Sequence, residues 1–91
     1  MPGPHMHDPQ AKQAMSARLA RIEGQVRALR RMIDADAECE DIAQQLSAAR
    51  KALDRAFYEM VSCMIRHEAV GGLQERRQHA GRVAEMLARF G

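Results

Sequence analysis

The sequence predicts an all-α protein of three helices that completes its core by self-association. Three observations carry that prediction. Apolar residues recur at steps of three and four through most of the chain, the period of a helix face and not of a strand. The apolar share is 46 %, with seven Met but no Trp, one Tyr and two Phe, which suits helix seams better than a sheet core. Finally, 91 residues make one domain at most, near the size where a lone core is marginal.

Taken in order, Met1 to His5 reads as a cloning remnant ahead of a start at Met6, and residues 6–12 as a mobile N-terminal arm. His7, in that arm, is a candidate for closing over a metal ion. Residues 13–91 form the single all-helical domain. Helix one is predicted from about Gln13 to Asp34, because Met15, Leu19, Ile22, Val26, Leu29 and Ile33 step by four and three. Gly24 inside it costs on the order of 1 kcal/mol relative to Ala, which points to close helix approach. The stretch Asp34 to Asp41 holds five carboxylates and no cation. Asp36 is the predicted N-cap of helix two, and Glu38, Glu40 and Asp41 complement its dipole.

Helix two is predicted from about Ala37 to Val70, with Gly71-Gly72 as its stop. At 1.5 Å per residue it spans roughly 50 Å, more than a 91-residue monomer covers. Its edge of Phe57, Val61 and Met64 has few partners within the chain. Helix three is predicted over Leu73 to Phe90, burying Leu73, Ala80, Val83, Leu87 and Phe90. His79, among Arg76, Arg77 and Arg82, is expected at the surface. No apolar run nears the ~20 residues of a membrane span and no signal peptide opens the chain, so a cytoplasmic protein without a membrane partner is expected.

Cys39 and Cys63 are the only cysteines, too few for a secreted disulfide framework. Both fall on one stripe of helix two: Cys39, Ile42, Leu46, Ala49, Leu53, Ala56, Met60, Cys63, His67. Along one helix the two thiols lie roughly 36 Å apart and cannot meet. Between two antiparallel copies paired near Lys51, Cys39 of one lies level with Cys63 and His67 of the other. A dimer with two identical thiol-rich sites is therefore expected. The bland alternative makes both cysteines small core residues and His67 a helix-end residue.

The net charge of +2 says little about partners, but its distribution says more. Lys12 to Arg31 carries six cations against the single acid Glu23, and Arg50, Lys51 and Arg55 cluster at mid-helix two. Arg18, Arg21, Arg50, Lys51 and Arg55 are the candidate phosphate-contacting residues. Helix-turn-helix, zinc-finger and aromatic stacking patterns are lacking, so DNA would meet a broad, salt-sensitive basic surface. No acid–base pair, phosphate loop or activated nucleophile suggests an enzyme.

With these residues in hand, the chain resembles the copper-sensing repressor family (CsoR/RcnR-type metal, formaldehyde and persulfide regulators). The likeness rests on Arg18-Leu19-Ala20-Arg21-Ile22-Glu23-Gly24-Gln25-Val26 and Asp36-Ala37-Glu38-Cys39. Gln45-Leu46-Ser47-Ala48-Ala49-Arg50 and Leu53-Asp54-Arg55-Ala56 extend it. The resemblance implies an antiparallel four-helix-bundle dimer and a disc-like dimer of dimers. It implies a bacterial repressor that leaves its operator when an inducer reacts at an intersubunit cysteine site, with Arg18 and Arg55 tied to DNA binding. Cys39 matches the family's first ligand. Met64 stands where copper sensors carry His, and Glu68 where copper and persulfide sensors carry Cys.

The inducer is thus left to chemistry. Persulfide, polysulfide or another oxidant would bridge Cys39 and the partner's Cys63, which needs α-carbons roughly 4–7 Å apart and a reactive thiol. Cu(I) would take Cys39, Cys63 and His67, since soft thiolates select it. The two-thiol chemistry is slightly favoured. No resident cofactor is required. The alternative from another class is a helical metal-binding or scaffold dimer without a DNA role.

Overall fold

A computed structural model describes Met6, residues 8–68 and residues 73–91, apart from the side chains of residues 67, 68 and 73–75. Its described residues form three helices, α1 (Pro9–Asp34), α2 (Cys39–Glu68) and α3 (Leu73–Phe90), the all-α protomer expected from the periodicity. No helix among them is long and apolar enough to cross a membrane. The chain divides into two compact units, His7–Tyr58 and one centred on Glu59–Gly91.

Helix α1 starts four residues earlier than its apolar seam suggests. Asp8 adopts extended backbone (φ −64°, ψ 120°) and its carboxylate accepts the Gln10 N–H at 3.1 Å, while Pro9 fills the first helical position. Pro is suited there because its missing N–H would be unpaired in any case. Residues 9–12, assigned from sequence to the N-terminal arm, are therefore the first turn of α1. The mostly polar run Gln10 to Gln13 hides this start, because its one apolar residue is the small Ala11, four before Met15.

The turn between α1 and α2 closes by a Schellman motif. The Ala37 N–H reaches back to the Met32 carbonyl (2.9 Å) and the Asp36 N–H to the Ile33 carbonyl (3.2 Å). This geometry needs a left-handed residue, and Asp36 supplies it at φ 55°. Asp36 thus ends α1 instead of capping α2. The cap falls to Glu38, whose carbonyl accepts the Ile42 N–H at 3.1 Å, so Cys39 opens the helix. The expected stop at Gly71-Gly72 lies outside the described residues.

Within His7–Tyr58 the two helices bury one heptad row each and leave the next row open. Ile22 and Leu29 of α1 and Ala49 and Ala56 of α2 are each 6 % exposed. Leu19, Val26 and Ile33, with Leu46 and Leu53, are 42–59 % exposed. Ala in the inner α2 row lets the helices approach closely, at the cost of little buried area. Among the described residues no large side chain is fully buried.

Gly24 does not serve the close approach expected of it within the chain. A Cβ there would meet only the tip of the Arg27 side chain, at 4.0 Å. In the second unit, Val61 and Cys63 of α2 and His79 and Val83 of α3 are buried. Ala80 and Phe90, expected in this core, are exposed, and His79, expected at the surface, is inside. The inward face of α3 runs through His79 and Val83, four apart, one residue out of phase with Ala80.

Three substitutions test the backbone argument by urea unfolding. Gly24→Ala is expected to add roughly 0.5–1 kcal/mol of stability, because the helix gains propensity and the space is open. Asp36→Gly is expected to add a similar amount by relieving the left-handed residue, whereas Asp36→Val should cost about 1 kcal/mol or more.

Candidate functional site

The two thiols occupy different rows of α2. Cys39, at the helix start, is exposed; Cys63 is buried at 6 % exposure. Their places follow from the heptad count. Cys63 continues the inner row of Ala49 and Ala56, each seven residues on. Cys39 begins the outer row, followed by Leu46, Leu53 and Met60, all exposed. The next member of that outer row is His67, whose side chain lies outside the described residues. Treating the stripe as one face merged these two rows, which differ by about half a heptad.

Beside Cys63, the Met64 carbonyl accepts a hydrogen bond from His79 Nε2 at 2.6 Å. A carbonyl can only accept, so Nε2 carries the proton. His79 is 7 % exposed and pins α3 to the end of α2 next to the buried thiol. The sequence reading missed this residue; its spacing of four from Val83 is the signal that marks it. Among the described residues, no three His, Cys, Asp or Glu side chains converge as a metal site within one chain.

The predicted cations divide. Lys51 and Arg55, one turn apart, line a groove of about 440 Å³ together with Gln44, Ser47, Ala48 and Ala52 of α2 and Gln25 of α1. Arg50 is exposed but points from a different face of the helix and does not line the groove. Arg18 is half-buried and Arg21 exposed on α1, and neither lines it. Arg18 precedes Gln25 by two helical turns on the same side of α1. Gln25 Oε1 is buried and has no hydrogen-bond partner. An unpaired buried acceptor of this kind costs roughly 1–3 kcal/mol. Gln25 was also missed as a functional residue, although its place between Ile22 and Leu29 sets it at the edge of the core.

The profile of the metal-sensitive transcriptional repressor family matches residues 11–90, nearly all of the described chain. The chain belongs to that family. Among its relatives, the transcriptional repressor RcnR of Salmonella paratyphi B is 33 % identical over 72 residues, 79 % of this chain and 80 % of the relative. RcnR of Salmonella paratyphi A matches to the same extent. A variant of the formaldehyde-responsive regulator FrmR from Salmonella enterica serovar Typhimurium shares the fold. Its TM-score is 0.79 at 29 % identity, covering 94 % of this chain and all of that one. The resemblance read from the α1 and α2 motifs is therefore correct at the level of family and protomer fold. The family is one of transcriptional regulators, not of enzymes.

In this member of the family, the difference between the thiols is chemical as well as geometric. Alkylation under native conditions should modify Cys39 at least about tenfold faster than Cys63, which waits on local opening. Mass mapping of the labelled peptides reads the ratio. His79→Ala should speed Cys63 labelling and cost about 2–4 kcal/mol, since it removes both buried volume and a hydrogen bond. Equal rates at the two thiols would contradict the assignment of rows.

Proposed function

We propose that this chain is a homo-oligomeric, cytoplasmic repressor that binds operator DNA and is released when an inducer engages Cys39. The observation that carries the proposal is an exposed thiol opening α2 in a member of a metal-sensitive repressor family. The exposed rows Leu19, Val26, Ile33 and Leu46, Leu53, Met60 support assembly, since a small domain rarely leaves such stripes to water. The outer row of α2 is symmetric about Leu53: seven residues to Leu46 and Met60, fourteen to Cys39 and His67. An antiparallel pair centred there sets Leu53 against its mate and Cys39 level with His67 of the partner subunit.

That register changes the balance between the inducers. Cys63 lies on the inner row, buried in its own protomer, so a Cys39–Cys63 bridge needs the α2–α3 core to open. A thiolate from Cys39 and an imidazole from the partner's His67 need no such opening. A soft or borderline transition metal such as Cu(I) suits this donor pair, and Cys63 could join it only after repacking. When bound, the metal would tie two α2 helices together at each end of the dimer.

Sulfur chemistry is the second reading, favoured by the exposure of Cys39. The Cys39 thiolate would attack a polysulfide sulfur, become a persulfide and expel a polysulfide shorter by one sulfur. A second thiolate would then attack the Cys39 sulfur, forming a disulfide and releasing hydrosulfide.

On the DNA side, Arg18, Arg21, Arg50, Lys51 and Arg55 supply charge for the phosphate backbone, with the Lys51–Arg55 pair presented on one face.

Four experiments test these statements. Leu53→Glu sets two like charges at the symmetry point, and light scattering should report monomers where the parent chain is a dimer or tetramer. Binding to duplex DNA flanking the gene should fall about tenfold or more in Arg18→Ala/Arg55→Ala, with a shallower salt slope. Undiminished binding removes the physical basis of the repressor reading. Native mass spectrometry with Cu(I) should show metal lost in Cys39→Ser and His67→Leu but kept in Cys63→Ala. A covalent dimer formed by polysulfide and lost in both Cys→Ser variants would instead establish the sulfur reading.

A further inference from the structure

The groove between α1 and α2 carries a chemistry that a DNA backbone does not satisfy. Its charged wall, Lys51 and Arg55, calls for an anion, and Gln44 and Ser47 on the same wall can donate or accept further hydrogen bonds. Gln25, from the opposite helix, brings a carbonyl oxygen that is buried and has no partner. That oxygen accepts only. A phosphodiester also only accepts, so it can answer the cations but not Gln25. A molecule that answers both has an anionic group and an O–H of its own.

We propose that this groove is a binding site for a small phosphate-bearing anion that presents a hydroxyl: hydrogenphosphate itself or a hydroxylated phosphate ester. Lys51 and Arg55 take its negative oxygens. Gln25 Oε1, shut from water in the free chain, turns into the groove on binding and accepts its O–H, which pairs the acceptor left alone in the free protein. The volume of about 440 Å³ exceeds what one phosphate fills and leaves room for a short hydroxylated carbon chain. All the lining residues belong to the one compact unit His7–Tyr58, so the site is complete within a protomer and does not involve Cys39, Cys63 or His67. It goes beyond the inducer reading and stands or falls independently of it.

Sulfate is the discriminating control, because it matches phosphate in shape and charge but carries no proton at neutral pH. Calorimetric titration of the full chain at constant ionic strength should show inorganic phosphate binding at least roughly tenfold tighter than sulfate, as expected for losing one hydrogen bond to a buried partner. Glycerol phosphate in a parallel titration separates the two sources. Tighter binding than inorganic phosphate assigns the groove to an ester, and weaker binding assigns it to the free ion.

Gln25→Met keeps the side-chain volume and removes the acceptor. Phosphate should then bind no better than sulfate, while the melting temperature of the free chain holds or rises because the unpaired oxygen is gone. Lys51→Ala/Arg55→Ala should abolish binding of both anions. Equal affinity for phosphate and sulfate in the parent chain overturns the proposal, as does phosphate affinity that survives Gln25→Met. No detectable binding of either phosphate probe overturns it as well.

Discussion

The protomer depends on a division of labour within the heptad. In α1 and α2, one row of every seven closes the chain on itself and the next row stays open to water. The inner row of α2 holds Ala49 and Ala56, which bury little area; the outer row is Leu and Met, with the larger surfaces left exposed. At about 25 cal/mol for each Å² removed from water, covering the open rows would add to the hydrophobic free energy that the closed ones supply. In the proposed assembly those rows would form the intermolecular seam.

The same division sorts the chemistry. A residue on the outer row is available to a partner or a small molecule, and Cys39 and the position of His67 lie there. A residue on the inner row is sealed by its own chain, and Cys63 lies there beside the His79 bond to Met64. Phase on one helix thus gives the two thiols different access to solvent. The distinction is a rotation of roughly 50° between adjacent rows, small on a helical wheel and decisive for access.

Much of this was legible in the sequence. The three helices follow from apolar spacing, and the family follows from the Arg18 to Val26 and Cys39 motifs. What escaped notice has physical causes. The start of α1 was hidden because a cap and a proline, not apolar residues, define it. Asp36 reads equally as a cap or as a left-handed terminator, and only the Ala37 and Asp36 N–H bonds decide between them. His79 was assigned to the surface because composition favours that for a histidine among arginines, whereas its four-residue spacing from Val83 sets its direction. The inner and outer rows are both apolar in sequence, so the pattern of letters alone does not separate them. Side-chain size offers the hint: Ala marks the row where two helices already touch.

Helix α2 also links the candidate sites. Cys39 opens it, and Lys51 follows twelve residues later, about 18 Å along the axis at 1.5 Å per residue. Both belong to the unit His7–Tyr58, whose inner contacts are made by Ala49 and Ala56. Alanine seams resist sliding less than interdigitated large side chains, because fewer atoms must disengage. A load applied at Cys39 on the outer row can therefore shift α2 against α1 at modest cost, and the Lys51–Arg55 wall of the groove moves with it. A ligand held between Gln25 and that wall would oppose the same shift, because it ties α1 to α2. On the proposed readings, an inducer at Cys39 and an anion in the groove would share α2 as the element on which they act, with opposite preference for its movement.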